Sequence, residues 1–235
     1  ATLALDTDAL RRCVDERTAA LVLGNLFGWP EPVTALSWLE QLGVVVIDDA
    51  AQALGARENG RPAGSRARLG VLSFGRGKCV SLGDGGALLI NDPALRGLAP
   101  APAAGTRGVR EWTLAVAVSV SRSRLALGCL ARLPGVRLGE SHFEPEFAVR
   151  SAPASVRAMA VDLRAVAERM RVLRRGVASA WREGLARVGS LGLPPESGSS
   201  EPAFLRFPVL APSRQHREAA VAALAGAGFQ YVRSY

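Results

Sequence analysis

Lysine is almost absent from this sequence. Of its 29 basic residues, Lys78 is the single lysine and all the others are arginines. A genome that favours arginine codons produces such a bias without functional meaning, so the one position that keeps lysine is a candidate for a task that arginine cannot perform. A lysine amine can lose its proton and act as a nucleophile, whereas a guanidinium group stays protonated.

Cysteine and histidine are also scarce. The three cysteines, Cys13, Cys79 and Cys129, are odd in number and form no CxxC motif, and the two histidines, His142 and His216, have no metal-ligand neighbour at helical spacing. This pattern excludes a disulfide framework and a structural zinc site, and it fits a reducing compartment. We therefore expect a cytoplasmic protein without a bound metal.

Aromatic residues make up only 6% of the 235 residues, although the net charge is +8. Few aromatics means few stacking platforms for bases, and the arginines are spread over every segment, so we expect no nucleic-acid partner. An uninterrupted apolar run is lacking too, because three arginines break the apolar stretch 111–133. That stretch predicts an amphipathic helix or hairpin rather than a membrane span. It packs either on its own protein or, as the alternative, peripherally on a membrane surface.

Hydrophobic residues form 49% of the chain, enough to build a core. The runs 19–23, 44–47, 69–74 and 86–90 predict strands, and the spacing of apolar residues in 33–42 predicts a helix between the first two. A strand–helix–strand order with short turns favours parallel pairing, so we expect an α/β fold with a mainly parallel sheet. Further on, the pattern predicts a long helix within 154–188, a strand at 203–210, a helix at 214–225 and a strand from Tyr231.

Three pieces that carry polar side chains stand close together in this order of elements. Asp49 and Gln52 follow one strand, Ser73 ends another, and Lys78 lies in the next loop before the run Gly83-Asp84-Gly85-Gly86. Ligands of open α/β sheets gather at the carboxyl ends of the strands, so one crevice could hold all four side chains.

The chemistry that needs such a set is amine chemistry on an aromatic aldehyde. Lys78 can condense to a Schiff base, Asp49 can pair with a pyridine nitrogen, and Ser73 can hold phosphate oxygens. The plain alternatives are a solvated surface lysine and an ordinary strand-end turn at Asp48-Asp49.

These residues stand in three segments that resemble the DegT/StrS-type sugar aminotransferases of the type I pyridoxal-phosphate (PLP) fold. The segments are VVVIDDAAQALGA (44–56), GRPAGSRARLGVLSFGRGK (60–78) and GDGGALLIND (83–92). The resemblance implies that 1–98 is part of the large PLP-binding domain, with its N-terminal portion missing. It also implies that 99–150 is a linker and helical insert, and that 151–235 is a long helix with an incomplete small α+β domain.

The resemblance also implies roles for individual residues. Lys78 would form the Schiff base with PLP and shuttle the proton, Asp49 would pair with the pyridine nitrogen, Gln52 would lie near the ring hydroxyl, and Ser73 would contact the phosphate. The expected reaction moves an amino group, from glutamate, to a nucleotide-linked keto sugar in cell-surface polysaccharide or glycan biosynthesis. The expected assembly is a homodimer. The presence of Lys78 speaks against the dehydratase branch of the family, in which histidine replaces this lysine.

Another class of function stays open. A non-catalytic homologue with the same fold could serve as an assembly or regulatory partner. Ala148 favours this alternative, because the family often has an asparagine there that reaches the partner subunit's phosphate.

Overall fold

A computed structural model of the protein describes residues 4–75, 77–82, 85–99, 160, 162–189, 191–194, 198–229 and 231. Several predictions from the sequence lie outside these residues: the insert 111–133, nearly all of the linker 99–108, the first part of the long helical pattern, Ala148, and the strand from Tyr231 beyond its first residue. Within the described ranges, no helix combines the length and the apolar character needed to cross a membrane.

The elements follow the predicted order closely in the first hundred residues. In chain order they are α1 (Thr7–Cys13), β1 (Ala20–Gly24), α2 (Ser37–Gln41), β2 (Val45–Asp49), β3 (Arg57–Glu58), β4 (Arg61–Pro62), β5 (Leu69–Ser73), β6 (Gly86–Ile90), α3 (Leu163–Val188), β7 (Ser200–Glu201) and α4 (Arg214–Gly226). Three short 3₁₀ turns lie at Leu26–Gly28, Val33–Leu36 and Pro93–Leu98.

The main sheet has four strands in the order β1-β2-β5-β6. β1, β2 and β5 are parallel, and β6 returns antiparallel beside β5. β-Branched runs such as Val44–Ile47 favour strands because their side chains pack well on a pleated surface. The expectation of an α/β fold with a mainly parallel sheet is confirmed.

The two faces of this sheet are covered unequally by the described residues. Leu23, Val46 and Leu72 point to the buried face, where Leu36 and Leu39 also lie in the core. On the opposite face Val22 keeps 62% of its surface exposed. The predicted helix at 33–42 is a 3₁₀ turn followed by the short α2, which ends at Gln41.

A small three-stranded sheet joins early and late parts of the chain. β3 pairs antiparallel with β4 on one side and with β7 on the other. Above this sheet, Arg171 of α3 is paired with Glu168 and also with Glu201 of β7, at 2.9 Å from the latter. The long helix itself begins at Leu163, after a turn at Asp162, and ends at Gly189 in the left-handed conformation.

The predicted strand at 203–210 is wrong. Ala203 donates to the carbonyl of Gly28 and Arg206 to that of Phe27, so the chain bends around the turn after β1. Phe204 takes a positive φ of 47° at the bend, and only Leu210 forms a bridge, to Gly192. Apolar alternation predicted a strand here, but burial of Phe204 against Trp29 in a bend satisfies the same pattern.

Candidate active site

The carboxyl ends of β2 and β5 bring the predicted site residues to one edge of the sheet. Asp49 is the last residue of β2 and Ser73 the last of β5, while Gln52 and Lys78 lie in the loops that follow. Asp49 is in register with Val71, and Ser73 lies two residues further along β5. Side chains two apart in a strand share a face, so Asp49 and Ser73 face the same side of the sheet.

Asp49 is half-buried and its backbone is held firmly. Its carbonyl oxygen accepts from the backbone N–H of Asn25 at 3.1 Å and from the Asn25 Nδ2 at 2.7 Å. Its Oδ1 accepts from the Ala51 N–H at 2.9 Å. Among the described residues the other carboxylate oxygen, Oδ2, makes no hydrogen bond or ion pair, so Asp49 keeps an acceptor for a ligand.

Gln52 is oriented by the turn that follows β1. Its Oε1 accepts from the backbone N–H of Phe27 at 3.1 Å, which leaves the side-chain NH₂ as a donor. Phe27 itself has a positive φ of 59° in this turn.

The loop that carries Lys78 is tied to Gln52 and to the long helix. Lys78 N–H donates to the carbonyl of Gly75, and the Sγ of Cys79 lies 3.2 Å from the carbonyl oxygen of Gln52. Burial raises the pKa of the Cys79 thiol, which therefore stays protonated and can donate in this contact. Arg174 of α3 donates to the Cys79 carbonyl at 2.8 Å. The ammonium group of Lys78 forms no hydrogen bond or ion pair with any other residue that the structure describes.

Ser73 lies at the mouth of the same loop. Its Oγ is 3.4 Å from the N–H of Gly75, a long contact that leaves the hydroxyl able to bind elsewhere. Gly86 follows in β6, where a Cβ would meet the Leu72 carbonyl oxygen at 2.5 Å, so the close approach of the strands here requires glycine. The first two residues of the predicted GDGG run lie outside the described residues.

A buried charge cluster lies behind this edge, and sequence reasoning did not find it. Arg66 and Asp48, with 1% and 0% of their side chains exposed, form an ion pair at 2.6 Å, and Glu58 lies 3.2 Å from Arg66 on its other side. One signal was available. Asp48 falls on the buried face of an apolar strand, and a carboxylate there needs a partner. No pattern in the neighbouring sequence indicates that Arg66 is this partner.

Electrostatics of this cluster favours the ionised aspartate. Burial opposes ionisation of Asp48 and is the largest single influence, but Arg66, the Asn25 amide and the Gly64 N–H together outweigh it and lower the pKa of Asp48. The pKa of nearby Glu31 is raised, because the effect of burial outweighs the Leu5 N–H and the charge of Arg66, which both lower it.

The donor set at this edge fits an aldehyde cofactor with a ring nitrogen and a phosphate. A carboxylate with a free oxygen and a hydroxyl lie at the ends of two neighbouring strands, and an amide and a primary amine lie in the loops that follow them. Within the described part of the chain no cluster of three metal-binding side chains occurs.

Comparison with known protein families shows which family this part of the chain resembles. Residues 1–102 match the model of the DegT/DnrJ/EryC1/StrS aminotransferase family. Residues 1–102 are similar to a segment of that family. The matched segment includes β1 to β6 and all four site residues, so the resemblance noted in the sequence is confirmed there.

Curated relatives match over the same region. The erythromycin biosynthesis sensory transduction protein EryC1 of Saccharopolyspora erythraea is 38% identical over 93 residues, which are 39% of this chain and 25% of that protein. The dTDP-3-amino-3,4,6-trideoxy-α-D-glucose transaminase of Streptomyces venezuelae is 39% identical over 93 residues, 39% of this chain and 24% of that enzyme. The chain thus matches about a quarter of the length of these relatives.

Solved structures show that the likeness in fold extends further along the chain. DesV of S. venezuelae, in complex with a ketimine intermediate, superposes with a TM-score of 0.62 at 25% identity and covers 93% of this chain and 52% of its own. The E. coli GDP-4-keto-6-deoxy-D-mannose-3-dehydratase with bound hydrated PLP has a TM-score of 0.65 at 18% identity, over 97% of this chain and 56% of that one. The chain spans little more than half of either structure.

Proposed function

We propose that the protein is a PLP-dependent aminotransferase that moves an amino group from an amino acid, glutamate in the first instance, to a nucleotide-linked keto sugar. The observation that carries the proposal is the position of Lys78. The single lysine of the chain lies in a loop tied through Cys79 to the turn of Gln52, at the edge where β2 ends in Asp49. Bound PLP would supply an electron sink for the bond changes at the amino carbon.

The residues of the chain would divide the remaining tasks. The free oxygen of Asp49 would hold a proton on the ring nitrogen, and the Gln52 amide would donate to the ring hydroxyl. The Ser73 hydroxyl would bind the phosphate. Lys78 would hold the cofactor and, once displaced by the donor amine, its Nζ would act as the base that takes a proton from the carbon bearing the amino group.

Names of the relatives support the substrate class at a coarse level. The S. venezuelae relative is a transaminase of a dTDP-linked amino sugar. The proposal also includes a nucleotide-linked substrate, a role in cell-surface glycan or polysaccharide synthesis, and a homodimer. Substrate screening can test the first of these and light scattering the last.

The experiment is an absorbance spectrum of the protein, expressed at the full length that its gene encodes, with added PLP. We expect a visible band that glutamate bleaches in the wild type. Lys78→Ala and Lys78→Arg should both lack it, and the second is the matched control because it keeps the positive charge but cannot form a Schiff base. A band that survives in Lys78→Arg contradicts the role of Lys78.

One observation favours a second function. The relative EryC1 is named a sensory transduction protein, which agrees with a non-catalytic, regulatory homologue. If the wild type shows no band and no amination of a panel of nucleotide-linked keto sugars with glutamate or glutamine, this second function replaces the first.

A further inference from the structure

Arg66 is the most completely bonded side chain behind the site. Its Nε and Nη2 donate to the two oxygens of Asp48, and Nη2 also donates to Asn25 Oδ1 at 2.7 Å. Its Nη1 donates to the Glu31 carbonyl at 2.8 Å and to Glu58 Oε2 at 3.2 Å. All five N–H groups of the guanidinium are therefore used, with the side chain only 1% exposed. A lysine with three donors could not make this set of contacts.

This cluster ends on the backbone of Asp49. Asn25, which accepts from Arg66, donates through one Nδ2 to Asp48 Oδ1 at 2.8 Å and to the Asp49 carbonyl at 2.7 Å. Asp48 and Asp49 are consecutive in β2, so their side chains point to opposite faces. The Asp48 side chain is thus fixed on the buried face and the Asp49 carbonyl is fixed towards Asn25. Together they fix the direction in which the Asp49 carboxylate leaves the strand on the other face.

The loop of Arg66 is seated on the sheet by close backbone contacts. Gly64 N–H donates to Asp48 Oδ2 at 2.6 Å. A Cβ at Gly70 of β5 would lie 1.8 Å from the Gly64 carbonyl oxygen, so only glycine lets the loop approach β5 this closely. Arg66 is thus held against the end of β2 from the loop side as well.

We propose that Arg66 is a positioning residue for Asp49: its buried ion pair with Asp48 sets the geometry in which the Asp49 carboxylate meets the ring nitrogen of the cofactor. This inference rests on the proposed function. A purely structural Arg66 is the competing explanation, and the two differ in what they predict for a cofactor without a ring nitrogen.

The test compares PLP with 1-deaza-pyridoxal phosphate, in which carbon replaces that nitrogen. Equilibrium binding of both is measured for the wild type, Asp49→Asn, Arg66→Met, Asp48→Asn and Lys78→Ala. The wild type should prefer PLP on the order of tenfold to a hundredfold, as a hydrogen bond between charged groups allows. Asp49→Asn should lose this preference, and Arg66→Met should lose most of it while its binding of the deaza analogue changes less. Asp48→Asn tests the same link if Arg66→Met is not recovered folded.

The matched control is Arg68→Met, two residues along the same segment. Arg68 pairs with Asp92 at 2.7 Å in a partly exposed position, and its side chain forms no hydrogen bond or ion pair with Asn25, Asp48 or Asp49. It should keep the wild-type preference for PLP.

Three results overturn the inference. If Arg66→Met loses affinity for both cofactors equally, Arg66 has a structural role only. If folded Arg66→Met or Asp48→Asn keeps the wild-type preference for PLP over the deaza analogue, the buried ion pair does not position Asp49. A wild type that binds PLP no better than Lys78→Ala overturns the proposed function itself, and this inference with it. The Lys78→Ala arm therefore distinguishes failure of the proposed function from failure of the role of Arg66.

Discussion

At the scale of single residues, Asp48 and Asp49 divide two tasks between the two faces of β2. Asp48 is fully buried and bonded to Arg66, whereas Asp49 is half-buried and keeps one carboxylate oxygen free of partners in the described part of the chain. Strand geometry separates them, because consecutive side chains point to opposite faces. The same dipeptide thus supplies an internal ion pair and a ligand group.

Breaking the internal pair should be costly. Arg66→Met leaves Asp48 and Glu58 buried without their cation, so we expect a loss of about 3–5 kcal/mol in the free energy of unfolding. Urea denaturation at pH 7 measures it.

The control for that measurement is Arg17→Met. Arg17 pairs with Asp15 at 2.8 Å but is 86% exposed, so its loss should leave the free energy of unfolding nearly unchanged. A similar small loss in Arg66→Met would contradict the role of the buried ion pair in stability.

At the scale of elements, the late part of the chain is docked on the turn after β1. Rings of Trp29, Phe204 and Phe207 follow one another at 5.4 and 6.0 Å, and Trp181 of α3 and Phe229 extend the row. Although aromatic residues are few, these are concentrated where the segments meet. The bend at 203–206 serves this contact, and it is the reason that no strand forms there.

Gly28 is the closest backbone contact in this docking. A Cβ at this position would lie 2.7 Å from the Leu205 nitrogen and 2.9 Å from the Phe204 nitrogen, at a φ of 87°. We expect Gly28→Ala to destabilise the fold by about 2 kcal/mol or more. Gly43→Ala is the control, since Gly43 also has a positive φ but open space around it, and should cost about 1 kcal/mol. Thermal unfolding measures the loss of stability in both variants. Equal losses would show that the close contact with 204–205 does not contribute to stability.

At the scale of the whole molecule, contacts far apart in sequence join the two ends of the described chain. β3 pairs with β7, and Arg174 holds the Lys78 loop from α3. The division of the chain into domains at 1–98, 99–150 and 151–235 stays a prediction. The β3–β7 pairing and the Arg174 hydrogen bond are the contacts that matter here. These contacts make the site loops dependent on the long helix.

The stability of the protein in acid should depend on two carboxyl groups whose pKa values are shifted in opposite directions, Asp48 and Glu31. The folded pKa of Asp48 is lowered from its ordinary value of about 3.9, so its ionised form adds stability that is present above that value and lost as pH falls through the folded pKa. The pKa of Glu31 is raised, so its contribution is present below its ordinary value of about 4.3 and is lost as pH rises through the folded pKa.

We therefore expect the free energy of unfolding to drop below about pH 4 and the Asp48→Asn variant to lose that part of the drop. Glu31→Gln should instead flatten the change above about pH 4.3. Urea denaturation between pH 3 and 7 checks both. An unaltered pH profile in Asp48→Asn would show that the Arg66 pair does not control acid stability.

Residue patterns alone predict the sheet strands, their mainly parallel order and the edge of the sheet at which Asp49, Gln52, Ser73 and Lys78 lie. These depend on local signals: β-branched runs, turn residues and the unique chemistry of one lysine. The folded chain was needed to show that Arg66 is the partner of Asp48, that Arg174 binds the Cys79 carbonyl across 95 residues, and that 203–206 bends instead of pairing. Partners of this kind are selected by packing between distant segments, which no short-range pattern encodes.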